Sequence, residues 1–540
     1  MTMLGSVRPT VGEQGTARAR TLAVLCAVGA VIAAWLGLNY IARLPNHDGY
    51  FLVDVVDPVR VPLRSPPQRV TLVVIDGLRE DSARTMATVA RLAAVGQCRT
   101  TDVGPYTVSR PVYSLLSTGL EVDRSGARNN DLVSALRAES VWDVAAHAGL
   151  RVAVVSHLPW WRELFPAAFA RAVELPEDEN VFDAAAQLHA DALVIHPLDV
   201  DTAGHASGAA SPAYEAAVAR VDAQALAWLD TVDLQHEVVV FTADHGHVDA
   251  GGHGAQQPEV RRVLACFAGK SIAARTGAAA IDSRIIAPAI AVALGLRFPK
   301  NMRAGDDDLD SLWTIFAGLD PAYVADRRRS IDHFRQRNTE ALERWIDQGP
   351  DPSWNALADQ ARRARWWRIV LPLVMLSAAT GYALRIRRRA LRDAARSMLW
   401  IAGMLVVTAF AWVMLRGSFD YTSINDRPSF LRASVPICTA VALAGAWLHA
   451  RVFHDRARWA EDQATVTLVA VGLAVAHVLA FGWPLGFPVP HRVVLFFPFL
   501  AAPFGVVHGM FGIIAALRSA HSTQVSSSST TTAVRSVSSP

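Results

Sequence analysis

Three carboxylates and three imidazoles stand in short, mostly glycine-flanked groups: Asp76, Asp201, His205, Asp244, His245 and His253. Asp76 closes Val73-Val74-Ile75-Asp76-Gly77. Asp201 and His205 sit four apart in Asp201-Thr202-Ala203-Gly204-His205. Asp244 and His245 lie in Thr242-Ala243-Asp244-His245-Gly246, and His253 in Gly251-Gly252-His253-Gly254. Neutral imidazole with carboxylate is the ligand mix of zinc and similar first-row divalent ions. Six such ligands are too many for one tetrahedral ion and suit two. Taken singly, each group has a plainer reading: a turn at Asp76-Gly77, a helix-face pair at Asp201 and His205, a capping residue at Asp244. Their joint placement after successive strands is what favours the metal reading.

A hydroxyl lies ready beside them. Pro105-Tyr106-Thr107-Val108-Ser109-Arg110-Pro111-Val112 reads as a helix entry, because proline is tolerated in a first turn where its missing N–H is not needed. Ser109 then stands at or just before the helix N-terminus, where oriented N–H groups favour a phosphoryl anion. Bound to a metal, its Oγ would favour the ionised, nucleophilic form. An N-capping serine is the alternative, and Thr107 offers a competing hydroxyl.

These residues need elements to carry them. Residues 69–75 form an apolar, β-branched run of the kind buried on both faces of a sheet, and residues 151–156, 192–197, 237–242 and 262–268 are similar. Helical spacing separates them, as over 78–94 and 211–229. The alternation predicts an α/β domain with a doubly wound, mostly parallel sheet. Such sheets gather functional residues beyond the C-terminal strand ends.

The composition points beyond a soluble domain. Of 540 residues 52% are hydrophobic, and Lys+Arg 52 against Asp+Glu 49 leaves a net charge of +3. The mean hydropathy is +0.23. This excludes a disordered chain and a nucleic-acid binder driven by bulk positive charge. Four cysteines exclude a disulfide-built scaffold. Residues 22–42 are long and apolar enough for an uncleaved anchor rather than a cleaved signal peptide. Five further spans are expected at 366–384, 398–415, 433–448, 464–483 and 493–517. The arginine-rich loops between alternate spans, with Arg8, Arg18 and Arg20 near the start, predict a cytoplasmic N-terminus. The expected organisation is a cytoplasmic segment 1–21, an anchor 22–42, a catalytic domain 44–305 outside the cytoplasm, a helical connector 306–365, a membrane domain 366–517 and a disordered cytoplasmic tail 518–540.

The same motifs, in the same order, resemble the alkaline-phosphatase superfamily. The closer likeness is to the type I phosphodiesterase/nucleotide pyrophosphatase group. Within it the chain resembles the membrane-bound ethanolamine phosphate transferases that decorate GPI anchors. The resemblance runs over residues 69–305, through Asp76-Gly77, Thr107-Val108-Ser109-Arg110-Pro111, Asp199-Val200-Asp201-Thr202-Ala203-Gly204-His205, Asp244-His245-Gly246 and Gly252-His253-Gly254. It implies two zinc ions, one among Asp76, Ser109, Asp244 and His245, the other among Asp201, His205 and His253. It implies Ser109 as nucleophile and Asn130, in Arg128-Asn129-Asn130, as a phosphate-binding residue, with a plain turn residue the alternative there. The expected activity is transfer of a phosphoethanolamine-type group from a phospholipid donor to a glycan or lipid-linked hydroxyl. The alternatives are hydrolysis of phosphoesters outside the cytoplasm and, third, a non-catalytic membrane scaffold. A sulfatase would need Arg two positions after Pro111, where this chain has Tyr113. Cys98 and Cys266 read as buried free thiols, a bridge between them being the alternative. His196 and His247 flank the site with no assigned partner.

Overall fold

The computed structural model describes residues 49, 54–132, 134–254, 256–302, 307–348, 391–416 and 427–452. The strands are β1 (Arg69–Ile75), β2 (Gln97–Asp102), β3 (Val152–Ser156), β4 (Arg171–Glu174), β5 (Ala192–His196), β6 (Glu237–Ala243), β7 (Arg262–Gly269) and β8 (Ile281–Asp282). The longer helices are α1 (Ala87–Val95), α2 (Ser109–Thr118), α3 (Asp199–Ser207), α4 (Pro212–Leu229), α5 (Ile286–Leu294), α6 (Pro321–Gln348), α7 (Leu391–Arg416) and α8 (Arg427–Val452).

All eight strands join one sheet in the order β4-β3-β5-β1-β6-β7-β2-β8. Its pairings are parallel except those of β7, which runs against both β6 and β2. The mostly parallel sheet expected from the strand–helix alternation is therefore present. β1 and β6 are buried along almost their whole length, as strands covered on both faces must be. The expected runs at 69–75, 151–156, 192–197, 237–242 and 262–268 fall on β1, β3, β5, β6 and β7. Three strands escape a hydropathy reading for separate reasons. β2 is polar in sequence and alternates buried with half-buried residues, β4 is a short edge strand, and β8 has only two residues.

The core continues past residue 305. Leu312, Ile315, Tyr323, Ile331 and Phe334 pack into the same cluster as the sheet, so the start of the expected connector belongs to the domain's interior. Asp326 fastens this end. Its Oδ2 accepts the main-chain N–H groups of Arg60 at 3.1 Å and Val61 at 3.2 Å, and Arg327 Nη2 at 2.9 Å. Burial would raise its carboxyl, but these bonds outweigh it and hold the group at about 2. The tie is complete above the ordinary carboxylate range and is lost only as pH falls toward about 2. Replacing Asp326 with alanine leaves the fully buried Arg327 guanidinium without its counter-charge. We expect a loss of about 3–5 kcal/mol in chemical denaturation.

Cys98 and Cys266 are not free thiols. They face each other in the β2/β7 register and form a disulfide with Cα atoms 4.0 Å apart. The antiparallel pairing of β7, which hydropathy does not reveal, is what brings them together. The bridge closes a chain separation of 168 residues. Loop-closure entropy at that length predicts a loss of up to about 5 kcal/mol for Cys98→Ser, with the wild type matching the variant once reductant is added.

Two of the five expected C-terminal spans, 398–415 and 433–448, lie within α7 and α8. The other spans, the N-terminal anchor and the tail lie outside the described residues. Taken over their described side chains alone, no helix among the described residues is long and apolar enough to cross a membrane. α7 and α8 pack on one another, bury Met404, Trp412, Ile437, Cys438 and Val441, and expose Leu399, Val406, Phe410, Leu415 and Trp447.

Candidate active site

The sheet register builds the site. β5, β1 and β6 are adjacent and parallel, so their C-terminal ends share one edge. Ile75 pairs with Ala243, which sets the next residues, Asp76 and Asp244, side by side. The Gly77 N–H donates to Asp244 Oδ1 at 3.1 Å and locks that alignment. Gly77 has a φ of +72°, and a Cβ there would lie 2.8 Å from both the Asp201 Cα and His247 Nε2, so the turn requires glycine.

His245 faces the two carboxylates. Its Nε2 lies 3.5 Å from Asp76 Oδ1 and 3.2 Å from Asp244 Oδ2. Both of those oxygens are buried and have no hydrogen-bond donor. Ser109, the first residue of α2, puts its Oγ 3.3 Å from the same His245 Nε2. Asp76, Ser109, Asp244 and His245 thus meet as one group.

The second group meets beside it. α3 starts just after β5 and carries Asp201 and His205 one turn apart on one face. The loop that follows β6 returns through Gly252, φ +98°, and Gly254, φ +101°, to bring in His253. His205 Nε2 and His253 Nε2 are 3.0 Å apart, and Asp201 reaches them at 3.5 and 3.7 Å. His253 Nδ1 donates to the Thr107 carbonyl at 2.8 Å, which leaves a lone pair on Nε2. The Thr107 hydroxyl accepts the Gly254 N–H at 3.0 Å. Thr107 is therefore engaged with the His253 loop, and Ser109 is the hydroxyl that reaches His245.

The electrostatics fit a cation. Burial, with the charges of Asp76 and Asp201, drives the Asp244 carboxyl well above its usual range. Burial lowers His245 to about 4 and, with the neighbouring His245 and His205, holds His253 well below its ordinary value. For Asp201, burial is outweighed by His205, His247 and His253, and its carboxyl stays low. Neutral imidazoles, crowded carboxylates and two orphaned carboxylate oxygens are a donor set for divalent metal. Asp76, Asp244 and His245, and separately Asp201, His205 and His253, are each compact enough to hold an ion.

Asn130 Oδ1 accepts the Arg110 N–H at 2.9 Å. It therefore sits at the N-terminus of α2 beside Ser109, with its amide nitrogen left to donate. Trp161 is core, stacked on Tyr113 with ring centroids 4.6 Å apart, while the half-buried Trp160 lies under the Arg110 guanidinium. Neither Tyr113 nor its contact with Asp76 was visible in the sequence, although the four-residue step from Ser109 to Tyr113 places both on one helix face.

Residues 70–264 match the sequence model of the type I phosphodiesterase / nucleotide pyrophosphatase family. The matched stretch runs from β1 into β7 and contains Asp76, Ser109, Asn130, Asp201, His205, Asp244, His245 and His253. This is the group that the motifs resemble. Solved structures similar to the chain include murine ectonucleotide pyrophosphatase/phosphodiesterase 5, at 12% identity over 43% of this chain and 96% of that one, with a TM-score of 0.36. The human counterpart has 12% identity over 46% and 100%, with a TM-score of 0.39. A variant of the alkaline phosphatase PafA has 11% identity over 44% and 97%, with a TM-score of 0.36. No curated protein sequence matches the chain.

Proposed function

We propose that this protein is a membrane-bound, metal-dependent enzyme that transfers a phosphoethanolamine-type group from a phospholipid to a glycan or lipid-linked hydroxyl. The observation that carries the reading is Ser109 Oγ, 3.3 Å from His245 Nε2 and among carboxylate oxygens that lack donors. Asp76, Ser109, Asp244 and His245 would hold one divalent ion, and Asp201, His205 and His253 the other, with zinc favoured by the nitrogen and oxygen donors. When bound, two such ions supply charge neutralisation to a phosphoryl group and favour an ionised serine.

The chain's own residues do the rest. Ser109 attacks phosphorus, the bond to the diacylglycerol oxygen breaks, and phosphoethanolamine remains on Ser109. The acceptor hydroxyl then attacks the same phosphorus and Ser109 leaves. At the start of α2 the Arg110 N–H is taken by Asn130 and Pro111 has none, so the Ser109 N–H and the Asn130 amide are the donors offered to the phosphoryl oxygens. The His253 Nδ1 bond to Thr107 orients that ring throughout.

The membrane setting draws support from the apolar residues exposed on α7 and α8, from the hydropathy of the expected spans, and from the Cys98–Cys266 disulfide, which suits an oxidising compartment outside the cytoplasm. Hydrolysis is the second reading, and the family match over residues 70–264 favours it, since water and a sugar hydroxyl can use the same residues. To separate them, purified protein is incubated with phosphatidylethanolamine labelled in its ethanolamine. Label that stays on Ser109 and chases onto added glycolipid is the expected result. Rapid release of free phosphoethanolamine, with none captured by any acceptor, would establish the hydrolase instead.

A further inference from the structure

Three buried side chains outside the two ligand groups end on the same two carboxylates. His247 Nδ1 accepts the Gly252 N–H at 3.0 Å, which puts the ring proton on Nε2, and Nε2 donates to Asp201 Oδ1 at 2.8 Å. His247 lies with Asp201 and His245 in a cluster compact enough for an ion, but that nitrogen is a donor and has no lone pair to offer. The ring is packed without slack: a Cβ on Gly204 would come within 2.6 Å of it. On the other carboxylate, the Tyr113 hydroxyl donates to Asp76 Oδ2, and His196 Nε2 lies 3.0 Å from that same oxygen. His196 Nδ1 is buried with no partner. A proton there would be an orphaned donor, so the proton sits on Nε2 and points at the Tyr113–Asp76 pair.

The carboxylates are therefore divided oxygen by oxygen. Asp76 Oδ2 is held by Tyr113 and His196, and Oδ1 is left facing His245. Asp201 Oδ1 is held by His247 at 2.8 Å, with His253 Nε2 farther off at 3.7 Å, and Oδ2 is left facing His205. We propose that Tyr113 with His196, and His247 separately, are positioning residues that commit one oxygen of Asp76 and of Asp201 to the protein, so that each cation is tuned by its own clamp. Tyr113 has a second consequence, because it lies one turn beyond Ser109 on α2 and ties the nucleophile's helix to the Asp76 carboxylate.

The inference rests on the two-cation reading, and the test separates the two. Purified full-length protein is analysed for zinc content, and each zinc affinity is measured by chelator competition, alongside kcat and KM on one chromogenic phosphodiester. Wild type is expected to hold two zinc ions; fewer than two would sink the two-cation reading itself. Tyr113→Phe is expected to weaken one zinc by about 10–100-fold and leave the other unchanged. His247→Phe should weaken the other, and His247→Gln, which keeps an N–H donor, should restore most of it. Metal-free melting is measured beside these affinities, because each variant also removes a buried hydrogen bond and a general loss of stability must be told from the loss of one zinc; His196→Gln replaces Tyr113→Phe if that variant does not fold. Wild-type affinities in these variants, or equal loss of both ions with lowered metal-free melting, would overturn the division of labour while leaving the two cations in place.

Discussion

Replacing Ser109 with alanine is expected to lower phosphodiester turnover by a factor on the order of 10³ or more, because the covalent route loses its only attacking atom. The residual rate would come from water acting with the remaining electrostatic groups. The comparison that matters is Thr107→Val. Thr107→Val removes the hydroxyl that accepts the Gly254 N–H but keeps the carbonyl that orients His253, so it should loosen the His253 loop and cost far less than loss of Ser109. Steady-state rates on a chromogenic phosphodiester, with label trapping on the protein, check both. If Thr107→Val lost the trapped label and Ser109→Ala kept it, the nucleophile would be misassigned.

Metal removal is expected to abolish turnover, and its proton balance carries a specific signature. In the metal-free protein Asp244 is pushed well above its ordinary range by burial and by the charges of Asp76 and Asp201, so it holds its proton to a higher pH than a free carboxyl does. His245, held at about 4, and His253 are neutral there and need lose nothing. A cation binds the ionised carboxylate, so loading at any pH where Asp244 is still protonated releases that proton, and affinity must fall as pH drops. Calorimetric zinc titrations in buffers of different protonation enthalpy measure that release directly. Each bound ion should also add about 4 kcal/mol of stability when free metal is 1,000 times its dissociation constant. Full activity after exhaustive chelation, or loading without proton release, would contradict this account.

Both effects rest on residues whose roles are legible in the local sequence. Asp76, Asp201, His205, Asp244, His245 and His253 announce themselves because each follows an apolar run or sits in a glycine-rich turn, and both signals are local. Ser109 is legible for the same reason, through Pro111 in the first turn of its helix. Tyr113, His196 and His247 are the same residue types at ordinary spacings. What distinguishes His247 is a hydrogen bond from Gly252, and what distinguishes His196 is a tyrosine 83 residues away.

Short-range chemistry thus decided the strand ends, the helix entry and the list of metal-capable side chains, because hydropathy period, proline and glycine act within a few residues. The tertiary structure decided what no local pattern encodes. The register of β1 against β6 put Asp76 beside Asp244. The reversed direction of β7 joined Cys98 to Cys266 and removed two expected free thiols. The Thr107 carbonyl and the Gly252 N–H chose which nitrogen of His253 and of His247 carries its proton. Those outcomes depend on strand order and on contacts between segments up to 168 residues apart, and such contacts exist only once the chain has closed on itself.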